Sequence, residues 1–149
     1  MRRLLLLTLA IVLSACSVGA PSELNRSQDK WDKSGITGYR YSLFIGCFCA
    51  FRDRMPLSIE VRDGKVVSMA YANGESISPD DPQLEFFSRF ATLDALFAEL
   101  KSGPASKADE VTVTYDSTYG YPSEMQVDQI KLAADDEYSV SISDFEILE

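Results

Sequence analysis

Three residues in this chain carry a thiol, Cys16, Cys47 and Cys49, and the last two are separated by a single phenylalanine. That spacing admits three outcomes: a disulfide, a pair of buried free thiols, or a redox or metal function. In a regular strand, residues i and i+2 point to the same side with α-carbons about 6.6 Å apart, so a bond between them requires a bend or bulge. An oxidising compartment favours the bond, whereas burial protects free thiols. A bridge around one residue does little to the entropy of the unfolded chain and serves mainly to fix a local bend. The spacing differs from the Cys-x-x-Cys of thioredoxin-like enzymes. Two thiolates in a chain without histidine leave a tetrahedral zinc site half empty.

Cys16 has a different setting. Arg2 and Arg3 precede a short apolar run over residues 4–12, and Ser14 and Ala15 are the small residues expected before a cleavage point. The run is about half the roughly 20 residues a transmembrane helix needs. Leu13-Ser14-Ala15-Cys16 resembles the bacterial lipobox, and that resemblance implies diacylglyceryl transfer to the Cys16 thiol, cleavage before it and acylation of the new amino terminus. The alternative is an ordinary signal peptide with an incidental cysteine. The expected organisation is a lipoprotein signal peptide over 1–15, a lipidated tether over 16–21 and one domain over 22–149. By the same resemblance, Ser17 points to the outer membrane, facing the periplasm. Acyl chains contribute about 0.8 kcal/mol per buried methylene, enough in combination to hold a soluble domain at a bilayer surface.

Other groups offer less chemistry. Tyr115, Tyr119 and Tyr121 crowd one stretch with Asp116, Gly120 and Pro122, which reads either as a turn between strands or as a tyrosine-rich binding loop. Asp135-Asp136-Glu137 lacks the spaced acidic pattern of a calcium loop and reads as a solvated hairpin tip. The absence of histidine removes the commonest general base and metal ligand. No pattern calls for a metal or cofactor, and no catalytic residue can be assigned. Removing residues 1–15 of 149 leaves 134, a length that fits one domain, and takes away two arginines, moving the formal charge from −9 to −11. Such acidity disfavours nucleic acid as a partner.

The elements that must hold these residues follow from periodicity. Ser22 caps a short helix that Gly35 ends. Tyr39, Tyr41, Leu43, Ile45, Cys47 and Cys49 alternate along one strand, and Leu57, Ile59 and Val61 along a second that turns through Asp63-Gly64 into a third at Val66. Residues 73–83 read as an exposed loop. Phe86, Phe87 and Phe90 suggest a helical turn. Thr92 caps a helix with Leu93, Leu96, Phe97 and Leu100 as its apolar stripe, stopped by Gly103-Pro104. Val111 to Tyr115, Met125 to Val127, and residues 138–147 give three more strands. The expected fold is α+β, an antiparallel sheet or sheets from two helix-plus-three-strand units with helices packed on the sheet. Residues 56–61 and 122–127 correspond position by position in character, a faint internal similarity that shared secondary structure explains as well as duplication.

The motifs Cys47-Phe48-Cys49, Val61-Arg62-Asp63-Gly64-Lys65-Val66, Tyr115-Asp116, Gly120-Tyr121-Pro122, Asp128 and Ala134-Asp135-Asp136-Glu137 resemble an uncharacterised bacterial lipoprotein family known only as a domain of unknown function. The resemblance covers nearly all of the mature chain. It implies a lipid-anchored α+β domain and no activity. Two functions remain open: a non-catalytic binding or structural module that meets an envelope protein, and an envelope thiol-redox protein or hydrolase using Cys47 and Cys49 or a carboxylate pair.

Overall fold

The computed structural model describes residues 22–149. The signal peptide, Cys16 and the tether expected from the sequence lie outside them. The elements run α1 (Glu23–Ser34), β1 (Tyr39–Gly46), β2 (Leu57–Arg62), β3 (Lys65–Ala70), α2 (Leu84–Ser88), α3 (Leu93–Ser102), β4 (Glu110–Tyr115), β5 (Pro122–Asp128) and β6 (Tyr138–Ile147). All six strands join one antiparallel sheet in the order β3-β2-β1-β6-β5-β4. Each helix-plus-three-strand unit is therefore a meander. The two meanders meet where β1 pairs with β6, from Tyr39 opposite Ile147 to Gly46 opposite Ser139. The segments of similar character, 56–61 and 122–127, fall on the middle strand of each meander. The helix ends differ, because Gly35 is left-handed whereas Gly103 is extended and leads into a 3-10 turn at Pro104–Lys107.

Strand alternation sorts the sheet into two faces. Tyr39, Tyr41, Leu43 and Ile45 of β1, Leu57, Ile59 and Val61 of β2, Met125 and Val127 of β5, and Val140 of β6 are buried together beneath Trp31, Phe87, Phe90, Leu93, Leu96 and Phe97. The helices thus cover one face, and two tyrosines fasten them to it. The Leu93 N–H donates to the Tyr39 hydroxyl at 3.0 Å, and the Tyr41 hydroxyl donates to the Phe90 carbonyl at 3.1 Å. Burial, the largest influence on it, pushes the Tyr39 hydroxyl up to about 12, so it stays neutral at any physiological pH. The opposite face is solvated, with Arg40, Ser42 and Phe44 of β1 beside Glu146, Ser143 and Ser141 of β6. That is the usual division of an antiparallel sheet covered on one side.

Helix α1 begins at its Ser22 cap, whose hydroxyl accepts from the Asn25 N–H at 3.3 Å, and buries only Trp31. The turn over 116–121 is pressed against it: Lys30 Nζ donates to the Ser117 carbonyl, and a Cβ on Gly120 would sit 2.6 Å from the Ser27 carbonyl oxygen. Gly120 also has a φ of +87°, which side-chain-bearing residues rarely adopt. Gly120→Ala is expected to cost about 1–3 kcal/mol for the backbone alone, plus the displacement of α1. Gly35→Ala, at φ +65° with open space around it, carries only the first of these. A urea midpoint that falls further for Gly120→Ala than for Gly35→Ala confirms that the turn is a seat for α1; equal shifts contradict it.

Candidate functional site at the disulfide end of the sheet

Strand directions place the sequence's candidate residues at opposite ends. Gly46, Asp128 and Ala70 close their strands, and Leu57, Tyr138 and Glu110 open theirs, at one end. Tyr115, Pro122, Tyr39 and Ile147 lie at the other. Cys47 and Cys49 therefore do not share a site with the tyrosine-rich loop.

Strand β1 ends at Gly46 rather than continuing through both cysteines. The chain bends there, and the two cysteines stand at disulfide distance with α-carbons 5.2 Å apart. The bend runs on into a 3-10 turn at Arg52–Arg54, with the Arg52 N–H donating to the Cys49 carbonyl at 3.2 Å. Its two aromatic residues take opposite paths. Phe51 is buried, its ring centroid 4.9 Å from that of Phe87 and 5.6 Å from that of Phe86. Phe48 stands 84% exposed between the half-buried cysteines. Because a bridge between them would close so short a loop, Cys47→Ser with Cys49→Ser is expected to lower stability by only about 1–2 kcal/mol. The substituted chain remains folded by circular dichroism, with faster amide exchange confined to residues near 47–51. Global unfolding would contradict a purely local role.

Beside this bend a shallow cleft crosses the solvated face. Phe44, Gly46, Cys47, Phe48, Arg52 and Asp135 line its first part, of about 380 Å³. Glu110, Thr112, Gln126, Asp128 and Tyr138 line its continuation, of about 450 Å³, and Gly46, Glu137 and Ser139 belong to both. Gly46 keeps the floor low, since a Cβ there would meet Ser139 Oγ at 2.5 Å. The walls are chemically divided. Phe44 and Phe48 are apolar and exposed, whereas Glu110, Asp128, Asp135 and Glu137 are acidic. Burial first, then the neighbouring carboxylates of Asp136, Glu137, Glu110 and Asp109, push the Asp128 carboxyl up from its ordinary value. Its Oδ1 is shielded from solvent and has no hydrogen-bond partner among the described residues. Lys131 reaches Glu110 at 3.4 Å in an exposed pair, the kind that contributes little. Among the described residues, no group of three or more cysteines and carboxylates is placed to hold a metal ion.

At the far end, Tyr121 is buried with its ring centroid 4.9 Å from Phe145 and 6.1 Å from Trp31, and Tyr119 is half-buried 5.7 Å from Phe145. Tyr115 is half-buried as well. Asp116 Oδ1 accepts from the Thr118 N–H at 2.9 Å and the Tyr119 N–H at 2.6 Å, and the Asp116 N–H donates to the Tyr121 carbonyl at 2.8 Å. Gly120 and Pro122 are buried. These residues build a turn whose rings face the core, leaving Ser117 and Thr118 as its exposed tip.

Two features were not singled out from sequence. Phe48 occurs in the sequence only within the Cys47-Phe48-Cys49 motif, where nothing indicates its exposure. The signal that points to it is its place between two cysteines at disulfide distance. Glu99 is 4% exposed and pairs with Arg89, which keeps 30% exposure. Its place beside the apolar stripe of α3, three residues after Leu96, is the only hint in the sequence.

Residues 23–147 match a family of unknown function, DUF6174, and the chain belongs to that family. No curated protein and no solved structure matches the chain.

Proposed function

We propose that the protein is a bacterial lipoprotein anchored through Cys16, facing the periplasm from the outer membrane, whose domain is a non-catalytic binding or structural module. It presents the disulfide end of its sheet to an envelope protein. Leu13-Ser14-Ala15-Cys16 supports the anchor. The observation that carries the binding reading is Phe48, 84% exposed on a bend fastened at both sides. Large aromatic residues held rigidly in the open are characteristic of interface anchors. This end also lies away from α1, the first element after residue 22. Helix α1 packs on the 116–121 turn at the opposite end, and β1 alone, at about 3.3 Å per residue, separates the two ends by about 26 Å.

The test is in-cell photocrosslinking of the full-length chain with benzoylphenylalanine in place of Phe48 or of Thr118. A discrete adduct from position 48 and none from 118 is expected. No adduct at 48, or the same adducts from both, overturns the reading. The alternative of envelope thiol exchange draws on the half-buried Cys47–Cys49 pair in the same cleft. An adduct at position 48 that survives Cys47→Ser with Cys49→Ser excludes it.

A further inference from the structure

We infer that the cleft beside Phe48 takes a basic segment of a partner protein, with one lysine or arginine head between Asp128 and Glu137 and an adjoining apolar side chain packed on Phe44 and Phe48. This rests on the disulfide end being the binding end. Three observations carry it. The apolar wall, Phe44 at 39% and Phe48 at 84% exposure, has no cover among the described residues. The facing wall sets four carboxylates, Glu110, Asp128, Asp135 and Glu137, against Arg52 alone as a lining cation. The half-buried Asp128 carboxyl has no hydrogen-bond partner for its Oδ1 among the described residues.

A lysine or arginine side chain matches that division. Its methylene stem lies along apolar surface while its charged head seeks acceptors, and a bond from a charged donor to a carboxylate is among the stronger hydrogen bonds. Gly46, Glu137 and Ser139 line both parts of the cleft, so the stem can run along it from the aromatic wall to the acids. An anionic partner meets the wrong charge on the facing wall.

The test extends the crosslinking at position 48 of the full-length chain. Adducts are digested and the attached partner segment sequenced, and the yield is compared with Asp128→Lys plus Glu137→Lys, and with Glu124→Lys on the same sheet face outside the cleft. The crosslinked segment is expected to carry lysine or arginine within about four residues of the attachment. The double reversal should cut the yield about tenfold or more, the equivalent of one lost charge pairing, while Glu124→Lys leaves it within about twofold. Asp128→Asn plus Glu137→Gln, which introduces no new charge and keeps the side-chain shapes, should lower the yield in the same direction, so that loss of folding in the reversal does not decide the test. A segment without a basic residue, or a yield indifferent to both double variants, overturns this inference while leaving the binding end in place. No adduct at position 48 removes both.

Discussion

Replacing Glu99 by alanine is expected to destabilise the protein by about 2–3 kcal/mol, less than for a fully buried pair because Arg89 keeps 30% exposure. Four donors converge on this carboxylate. Arg89 supplies Nε at 3.2 Å and Nη2 at 2.7 Å, the Ala105 N–H lies at 3.0 Å, and the Tyr138 hydroxyl at 3.0 Å. One side chain of α3 thereby ties together the segment after α2, the 3-10 turn at Pro104–Lys107 and the start of β6. The rings of Phe90, Phe86 and Tyr138 surround the guanidinium at 5.0, 5.2 and 5.9 Å from their centroids. Alanine leaves an arginine, a backbone N–H and a phenol without their acceptor. Glu99→Gln keeps the shape and part of the bonding, and is expected to cost about 1–3 kcal/mol. Urea unfolding measures both. A loss below about 1 kcal/mol for alanine would mean that these donors find other partners.

The same carboxylate sets an acid limit. Burial, the largest single influence, would push its titration up, but the Arg89 hydrogen bonds, the Ala105 N–H, the Tyr138 hydroxyl and the Arg89 charge together hold it below the ordinary value. Its folded-state pKa is thus lower than that of an unfolded glutamate, which is about 4.3. The stabilisation is complete above that value and is lost as the pH falls through the depressed folded-state pKa. The urea midpoints of the natural chain and of Glu99→Gln should therefore converge as the pH is lowered below about 4.

Trp31→Ala is the second large effect, with an expected loss of about 3–5 kcal/mol. Trp31 is the sole buried residue of α1. Its ring meets Tyr39, Tyr121 and Phe145 edge-on at centroid distances of 5.6, 6.1 and 6.4 Å, and its Nε1–H donates to Asp94 Oδ1 at 3.1 Å. Beside the contacts with the 116–121 turn and the partly buried Leu24, Trp31 supplies the largest apolar contact of this polar helix, and most helical stability in proteins comes from packing. The thermal midpoint should drop by about 10 °C or more, and the amides of α1 should lose their exchange protection. Retained protection in α1 would contradict this. Because Trp31 is the only tryptophan, its fluorescence in the natural chain reports directly on whether α1 is docked.

Much of this arrangement was legible in advance, for physical reasons. Strands with one buried face write a period of two into the chain, so Tyr39 to Ile45, Leu57 to Val61 and Met125 to Val127 declared both their conformation and their inward side. Ser22 and Thr92 declared the helix starts through capping. The end of β1 was hidden, because Cys47 and Cys49 prolong its alternation although the chain has already bent at Gly46. Residues 73–83 lack periodicity yet are strapped back to the domain. The Ile77 N–H donates to the Met69 carbonyl at 2.9 Å, the Tyr71 hydroxyl donates to Asp81 Oδ2 at 2.8 Å, and Arg54 lies over the Tyr71 ring. The β1–β6 junction joins residues about a hundred positions apart, and no local pattern encodes such a pairing. Glu99 was hidden for a related reason. A glutamate on an amphipathic helix reads as solvated until its distant partners are known. The cleft depends on the same junction, since Ser139 and Glu137 reach Gly46 and Phe48 only across it.

The proposed function gives these parts a direction. Trp31 and the 116–121 turn hold α1 to one end of the sheet, and the opposite end offers Phe48 and an acidic cleft. The measurement that tests this most directly is the intact mass of the protein extracted from membranes of its own host. The account predicts a chain beginning at Cys16, heavier by its acyl groups and lighter by two hydrogens for the Cys47–Cys49 bridge. A chain without lipid mass, or one beginning elsewhere, would contradict the tethered module.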